Sequence, residues 1–77
     1  MKEFLEMIVK SLVDKPEEVK VSEVEGEGVI IYEIHVAEGE IGKVIGKHGK
    51  NVQSIRTLMS AVAAAKKHKR VKLEIVE

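Results

Sequence analysis

The stretch Val44-Ile45-Gly46-Lys47-His48-Gly49-Lys50 decides how this chain is interpreted. Two glycines enclose a lysine and a histidine, an apolar pair precedes them, and an apolar pattern with helical spacing follows. Because glycine has no Cβ atom, the phosphates of another chain can approach such a backbone closely. Lys47, His48 and Lys50 can supply the cations that phosphates attract. The stretch is therefore either a nucleic-acid clamp or an ordinary turn between two helices.

The segments on both sides of this stretch predict the element order α-β-β-α-α-β. Apolar residues at helical spacing predict helices over residues 2–14, 38–45 and 50–66. Alternating or β-branched residues predict strands over residues 17–24, 29–36 and 71–75. A helical crossover between the last two strands favours parallel pairing with a right-handed connection. We expect an α+β fold, a two-layer sandwich with a mixed three-stranded sheet and helices on one face.

The charges of the chain are segregated along it, although the formal net charge is zero. Residues 1–40 contain four lysines and eleven acids, whereas residues 41–72 contain nine Lys or Arg and no acid. This asymmetry points to an anionic partner for the basic half. Neutralisation of one half by the other within the fold remains a second interpretation.

Length and composition exclude several classes of protein. We expect the 77 residues to form one domain, 1–77, with an N-terminal extension (1–27) and a β-α-α-β core (28–77). Cysteine is absent, so disulfides and thiolate chemistry are excluded. No stretch approaches the roughly 18 apolar residues of a membrane span. The N-terminal segment is amphipathic rather than signal-like, which makes a cytoplasmic location the expectation.

Three other glycine motifs fit the stretch less well. A phosphate-binding P-loop and a dinucleotide fingerprint both need glycine at position 44, where Val44 stands. A helix-turn-helix also places a glycine turn before a recognition helix, but such motifs usually lie in helical bundles rather than between strands. A single-strand clamp agrees best with the predicted element order.

Residues 41–56, Ile-Gly-Lys-Val-Ile-Gly-Lys-His-Gly-Lys-Asn-Val-Gln-Ser-Ile-Arg, resemble the signature of the K-homology (KH) domain. The extra helix and strand before the β-α-α-β core are similar to the bacterial, type II arrangement. From end to end the chain resembles the small stand-alone bacterial KH proteins. The resemblance implies single-stranded RNA binding and a role as an RNA chaperone or post-transcriptional regulator. It also implies a homodimer, or a heterodimer with a larger KH-domain protein, and an effect on cell shape.

In KH domains the Gly-x-x-Gly loop clamps the backbone of about four nucleotides. We expect the exposed N–H groups of Lys50 and Asn51 to face that backbone, with Ile45 and Ile55 mostly in the core and Val52 lining the groove. The cations at the end of the predicted helix 50–66 and towards the last strand either widen the basic surface or serve as a helix terminus and a soluble turn, and the second interpretation is favoured; they are Lys66, Lys67, Lys69, Arg70 and Lys72. The expected RNA-binding residues are Lys43, Val44, Ile45, Gly46, Lys47, His48, Gly49, Lys50, Asn51, Val52 and Arg56.

Functions of other classes remain as alternatives. The three histidines are scattered and the basic half has no carboxylate, so we expect neither catalysis nor a metal or other cofactor. A protein-interaction or dimerisation module is compatible with the amphipathic first helix and with the small size. Single-stranded DNA is also an open ligand, because no residue clearly recognises a 2′-hydroxyl group.

Overall fold

The computed structural model describes residues 1–66 and 69–77 and has the predicted element order. Its sheet has three strands in the order β1-β2-β3, with β1 antiparallel and β3 parallel to β2. The predicted α+β class and mixed sheet are therefore confirmed. The elements are α1 (Lys2–Lys10), β1 (Lys20–Gly26), β2 (Val29–His35), α2 (Ile41–Ile45), α3 (Lys50–Lys66) and β3 (Arg70–Val76).

β2 is the central strand, and its alternating sequence determines which face the helices cover. Ile30, Tyr32 and Ile34 are fully buried on one face, as the alternation predicts. They pack in one cluster with residues of all three helices, including Leu5 of α1 and Met59 of α3. The helices therefore cover the same side of the sheet, which leaves the other side open.

The first helix is shorter than the predicted 2–14 and ends at Lys10. Beyond the helix, the carboxylate of Glu40 accepts hydrogen bonds from the backbone N–H groups of Asp14 (2.8 Å) and Lys15 (3.3 Å). Glu40 is 6% exposed and is the one buried charged residue among those described. This contact ties the segment after α1 to the residue that immediately precedes α2.

Two other elements begin three residues later than the sequence predicts. The strand predicted over 17–24 begins at Lys20, because Pro16 starts a 3₁₀ turn, Pro16–Glu18. The helix predicted over 38–45 begins only at Ile41, since Gly39 has a φ of +85° that an α-helix does not contain. The Gly39 N–H instead donates to Oε2 of Glu77, at 2.7 Å.

The long helix α3 has the predicted bounds but a different buried stripe. Ile55, Met59 and Ala63 are buried, whereas Leu58 is 44% exposed. The spacing of Leu58 relative to Ile55 and Val62 would place it on an apolar face, but the helix is rotated so that this side chain faces solvent. No helix in the described ranges is long and apolar enough to cross a bilayer.

Candidate nucleic-acid interface

The glycine loop, residues 46–49, is a tight reversal between α2 and α3 built from three positive φ angles. Gly46 has φ 79° and ψ 171°, His48 has φ 56°, and Gly49 has φ 74°. His48 is the only non-glycine residue with positive φ in the described ranges. L-residues other than Gly, Asn and Asp rarely adopt such angles. The backbone at this point is therefore held in a conformation that its own sequence only partly favours.

The side chain of Asn51 packs directly over Gly46. A Cβ atom placed on Gly46 would lie 2.6 Å from Cγ and 2.8 Å from Cβ of Asn51. The Asn51 amide also donates a hydrogen bond to the Lys43 carbonyl oxygen at 3.1 Å. Asn51 thus joins the start of α3 to α2, and Gly46 is the residue that allows the two helices to approach so closely. Asn51 was expected to contact RNA, and no pattern in the sequence indicated this internal contact.

The hydrogen bonds of the loop determine which of its amides remain available. The Gly46 N–H donates to the Gly42 oxygen at 2.8 Å and the Gly49 N–H to the Gly46 oxygen at 3.0 Å. The Lys50 N–H donates to the Lys47 oxygen, so the expectation that it faces a ligand is wrong. The 3₁₀ turn starts at Lys47, and the first N–H groups of a helix have no partner within it. The amides of Lys47 and His48 are therefore the loop's candidate donors.

The cationic side chains of the loop extend into solvent. Lys47, His48 and Lys50 are all exposed. Neither lysine forms an ion pair with any residue in the part of the chain that the structure describes. Lys47 and Lys50 are therefore available to an external anion, and their contact with phosphates stays a prediction.

Lys43 differs from these lysines because its ammonium group is already paired. Its Nζ donates to Oδ2 of Asp14. The hydrogen bond to Asp14 raises the pKa of the Lys43 side chain above its ordinary value. The expectation that Lys43 contacts RNA is therefore not supported by this geometry, since a phosphate would first have to displace Asp14.

The burial of the two apolar residues before the loop, Val44 and Ile45, differs from the expectation. Val44 was expected to contact RNA, but it is completely buried in the core and cannot reach a ligand. Ile45 was expected to be mostly core but is 36% exposed beside the loop. Ile55 is buried as predicted, and Val52 is half-buried. Ile45 and Val52 are thus the apolar surface available next to the glycine loop.

A second concave region of about 560 Å³ lies between α3 and the edge of the sheet. We call it the β3 groove; it is lined by Glu27, Gly28, Val29, Arg56, Arg70, Val71, Lys72 and Leu73. Sequence reasoning favoured a merely solubilising role for Arg70 and Lys72, but the fold brings both next to Arg56. Lys69 instead pairs with Oε2 of Glu25, at 2.6 Å. Lys67 lies outside the described residues.

The described residues contain no group of three or more His, Asp or Glu side chains arranged to hold a metal ion. His35 forms a pair with its neighbour Glu33, with 2.7 Å between Nε2 and Oε1. Tyr32 is fully buried, so its ring packs in the core and is not exposed for stacking on a base, and its hydroxyl lacks a hydrogen-bond partner of good geometry among the described residues. Burial above all, then the charge of Glu23, raises the pKa of Tyr32 to about 12.

Comparison with known proteins assigns the chain to a family. The family model described as KhpA/KhpB, KH domain, matches residues 2–75. RNA-binding protein KhpA of Chlamydia trachomatis is 57% identical over 77 residues, covering all of this chain and 97% of that protein. RNA-binding protein KhpA of Clostridium acetobutylicum is also 57% identical, over 76 residues that cover 99% of this chain and 100% of that protein.

Solved structures show the same fold in a larger protein. Aquifex aeolicus Era bound to GDP and AlF₄⁻ matches with a TM-score of 0.67 and 24% identity, over 96% of this chain but 28% of the Era chain. Era in complex with MgGDPNP and nucleotides 1506–1542 of 16S ribosomal RNA matches equally well. The chain belongs to the KhpA/KhpB KH-domain family, which confirms the family resemblance seen in the sequence.

Proposed function

We propose that this member of the KhpA/KhpB KH-domain family binds single-stranded RNA by pressing the glycine loop against the phosphate backbone. The observation that carries the proposal is the loop itself. A Cβ atom at Gly49 would meet nothing within 4 Å, so the backbone there is uncovered, and Lys47 and Lys50 lie beside it without an ion-pair partner among the described residues. The relatives named RNA-binding protein KhpA support RNA as the ligand.

The proposed contacts with RNA are of two kinds, polar contacts to phosphates and apolar contacts to bases. The backbone N–H groups of Lys47 and His48, with the side chains of Lys47 and Lys50, contact phosphate oxygens. Ile45 and Val52 provide a small apolar surface for the bases. Tyr32 is buried and Phe4 lies on α1, so the interface contains no aromatic platform. We therefore expect micromolar-class affinity, modest sequence preference and strong dependence on salt.

In this proposal residues 1–77 act as one KH domain in the cytoplasm, in a binding role rather than a catalytic one. A protein that holds single strands transiently, without strong sequence preference, suits an RNA chaperone or a post-transcriptional regulator. Single-stranded DNA is the alternative ligand, because phosphate contacts alone do not distinguish the two. Matched RNA and DNA oligomers in competition separate these ligands.

The decisive experiment reverses the charge of the loop without disturbing its fold. We propose Lys47→Asp with His48→Asp, since aspartate is among the few residues that tolerate the positive φ of position 48. The matched control is Lys20→Asp with Lys2→Ala, which changes the formal charge equally, with His48 counted as neutral, on residues outside the loop. Fluorescence anisotropy with a labelled single-stranded RNA should show loss of binding for the loop variant only. Unchanged affinity of the loop variant would refute the clamp.

The salt dependence gives a second measurement on the same protein. Neutralisation of about four single-strand phosphates predicts a slope near −3 for log K against log salt. The loop variant should show a much shallower slope. An affinity that is independent of salt would contradict phosphate contacts as the source of binding.

Substitution of Gly46 and Gly49 by aspartate is a less specific test of the same loop. At position 46 the new side chain conflicts with the packing of Asn51, whose Cγ lies 2.6 Å from where a Cβ atom would stand. Loss of binding in that variant would therefore not separate a lost phosphate contact from a distorted loop.

Association between two chains is a second candidate function, favoured by exposed apolar side chains on the helices. Phe4 and Met7 of α1 and Leu58 of α3 are all substantially exposed. A homodimer or a heterodimer with a larger KH-domain protein would cover such residues and present two loops to one RNA, which increases avidity. An effect on cell shape would then follow from the partner and the RNA. Analytical ultracentrifugation of the wild type and of Leu58→Glu tests this association directly.

A further inference from the structure

β1 is an edge strand whose outer side is not covered by another strand. The sheet order is β1-β2-β3, and β1 pairs with β2 alone. Within residues 1–66 and 69–77, no backbone hydrogen bond joins β1 to a segment other than β2. Val21 is the one buried residue of this strand. The outward N–H and C=O groups of β1 can therefore pair with a further strand.

The features that usually protect a sheet edge are weak in β1. Its pairing with β2 runs from Lys20 to Gly26 with one residue opposite one residue, so this strand has no bulge. It is seven residues long, contains no proline, and has its single lysine at its first position. Short length, proline, lysine and bulges are common means of preventing strand addition at an edge. β1 is thus long and regular enough to accept a partner strand.

The segment that contains β1 is strongly acidic. Residues 16–28 contain five glutamates and one lysine, and all five glutamates are exposed. Glu25 pairs with Lys69, but Glu23 and Glu27 form no ion pair with another residue in the described ranges. Like charges on neighbouring strands destabilise their pairing. The acids therefore disfavour a second copy of this chain at the edge and favour a cationic segment.

The two faces of β1 determine which side chains such a segment carries. Glu23 lies opposite Tyr32, so Glu23 and Glu25 are on the face of the sheet that the helices cover. Val24 lies opposite Ile31 on the open face and is 59% exposed. Side chains of neighbouring strands that share a face contact one another. A strand that alternates cations with apolar or β-branched residues places its cations beside the glutamates and an apolar residue beside Val24.

The hydroxyl group of Tyr32 is a second observation that points to the same edge. Tyr32 is fully buried, and its hydroxyl has no hydrogen-bond partner of good geometry among the described residues. Burial, together with the charge of the cross-strand neighbour Glu23, raises the pKa of this hydroxyl. The Glu23 carboxylate is thus close to the hydroxyl without being fixed as its acceptor. A cation bound to the outer side of Glu23 would hold the carboxylate over the hydroxyl and satisfy both groups.

We propose that β1 binds an extended, lysine- or arginine-rich segment of a partner protein, which joins the three-stranded sheet as a further strand. The backbone of the segment pairs with the outer side of β1, and its cations bind Glu23 and the neighbouring acids. In this mode of recognition the main-chain hydrogen bonds supply affinity, and alternate side chains supply specificity. The surface belongs to the acidic half of the chain and does not include the glycine loop. The inference is therefore independent of the proposed RNA binding.

The test uses capped seven-residue peptides, matched to the length of β1, that contain neither tyrosine nor tryptophan. In the first peptide, lysine alternates with valine and threonine. The second has the same composition with its lysines in one block, the third has glutamate in place of lysine, and the fourth is the first with methylated backbone nitrogens. Each is titrated into the isotopically labelled full chain, and NMR follows the backbone amides of β1. Fluorescence reports on Tyr32 alone, because the chain has no other tyrosine and no tryptophan.

The alternating peptide should bind, protect every second amide of β1 from hydrogen exchange and change the fluorescence of Tyr32. The block peptide should bind at least about threefold more weakly, and the glutamate and methylated peptides should not bind. Glu23→Gln with Glu27→Gln should weaken binding of the alternating peptide by about three- to tenfold. The control, Glu38→Gln with Glu74→Gln, removes the same charge from exposed residues outside β1 and should leave the affinity unchanged.

Three results would overturn the inference. The first is that the alternating peptide does not bind the wild type. The second is that the methylated peptide binds equally well, or that the perturbed amides lie outside β1, since either would show charge attraction without strand addition. The third is that the outward amides of β1 are already protected in the protein alone, to an extent that rises with protein concentration, because a second copy then covers the edge.

Discussion

Replacing Gly46 by alanine should destabilise the fold far more than the same change at the other two glycines of this region. Gly46 lies at φ 79° and ψ 171°, in a region that is essentially restricted to glycine. Gly49 has φ 74°, but a Cβ atom there would meet nothing within 4 Å. Gly42 lies inside α2 with an ordinary φ and open space around it. Comparison of alanine substitutions at the three positions therefore separates the cost of backbone strain from the cost of steric overlap.

The magnitudes follow from these two effects. Backbone strain at Gly46 costs about 1–3 kcal/mol, and overlap of the new Cβ with Asn51 adds about 1–3 kcal/mol. We expect Gly46→Ala to lower the free energy of unfolding by about 3–5 kcal/mol. Gly49→Ala has only the strain, about 1–2 kcal/mol. Gly42→Ala should raise the stability by about 0.5–1 kcal/mol, because alanine favours the helix.

The size of the effect at Gly46 is large relative to the whole protein. A chain of 77 residues has a free energy of unfolding of about 4–12 kcal/mol. Urea denaturation followed by far-ultraviolet circular dichroism measures all three variants. It also shows whether Gly46→Ala remains folded in the absence of denaturant.

A second substitution tests whether the contact with Asn51 is the cause. Asn51→Ala removes Cγ and Nδ2, two of the three atoms that crowd the new Cβ, and leaves Asn51's Cβ at 2.8 Å. Alone it loses the hydrogen bond to the Lys43 oxygen, about 0.5–1.5 kcal/mol. The double variant should be more stable than the sum of the two single changes predicts, by about 1–2 kcal/mol. Strict additivity, or equal effects of Gly46→Ala and Gly49→Ala, would refute the reasoning.

Three further predictions concern titration, charge and the loop after α1. Tyr32 is the only tyrosine, so ultraviolet absorbance should show its ionisation near pH 12 in the folded chain and near pH 10 in urea. Its contribution to stability, complete below about pH 10, should be lost as the pH rises towards 12; a midpoint near 10 in folded protein would contradict this. Asp14→Asn should release Lys43, lower the pKa of its side chain and steepen the salt slope of RNA binding by about 0.7; an unchanged slope would show that Lys43 stays away from phosphate. Glu40→Gln should lower the free energy of unfolding by about 1–3 kcal/mol, and the same change at the exposed Glu38 should leave it unaltered in urea denaturation.

Several parts of this protein could be predicted because they depend only on near neighbours in the chain. The alternation of Ile30, Tyr32 and Ile34 determined which face of β2 is buried, since side chains two apart in a strand always share a face. The apolar spacing after Gly49 predicted the long helix α3 with approximate bounds that the structure matches. The glycine loop was recognised from the sequence, because only glycine gives the backbone such conformational freedom at two positions so close together.

Other features were decided by the tertiary structure. α2 has five residues, too few for its periodicity to say that Val44 points inwards and Ile45 outwards. The pairing of Asp14 with Lys43 joins residues that lie 29 positions apart, and no local pattern reports such a distance.

In the candidate RNA site, too, some features could be predicted from the sequence and others were decided by the tertiary structure. The basic half of the chain was visible as a run of residues without acids, and it indicated that a polyanion is bound. Which cations remain available was decided by packing, because each internal carboxylate neutralises only the lysine that the fold brings next to it. Lys43 and Lys69 are paired for this reason, whereas Arg56 meets Arg70 only because α3 lies against β3.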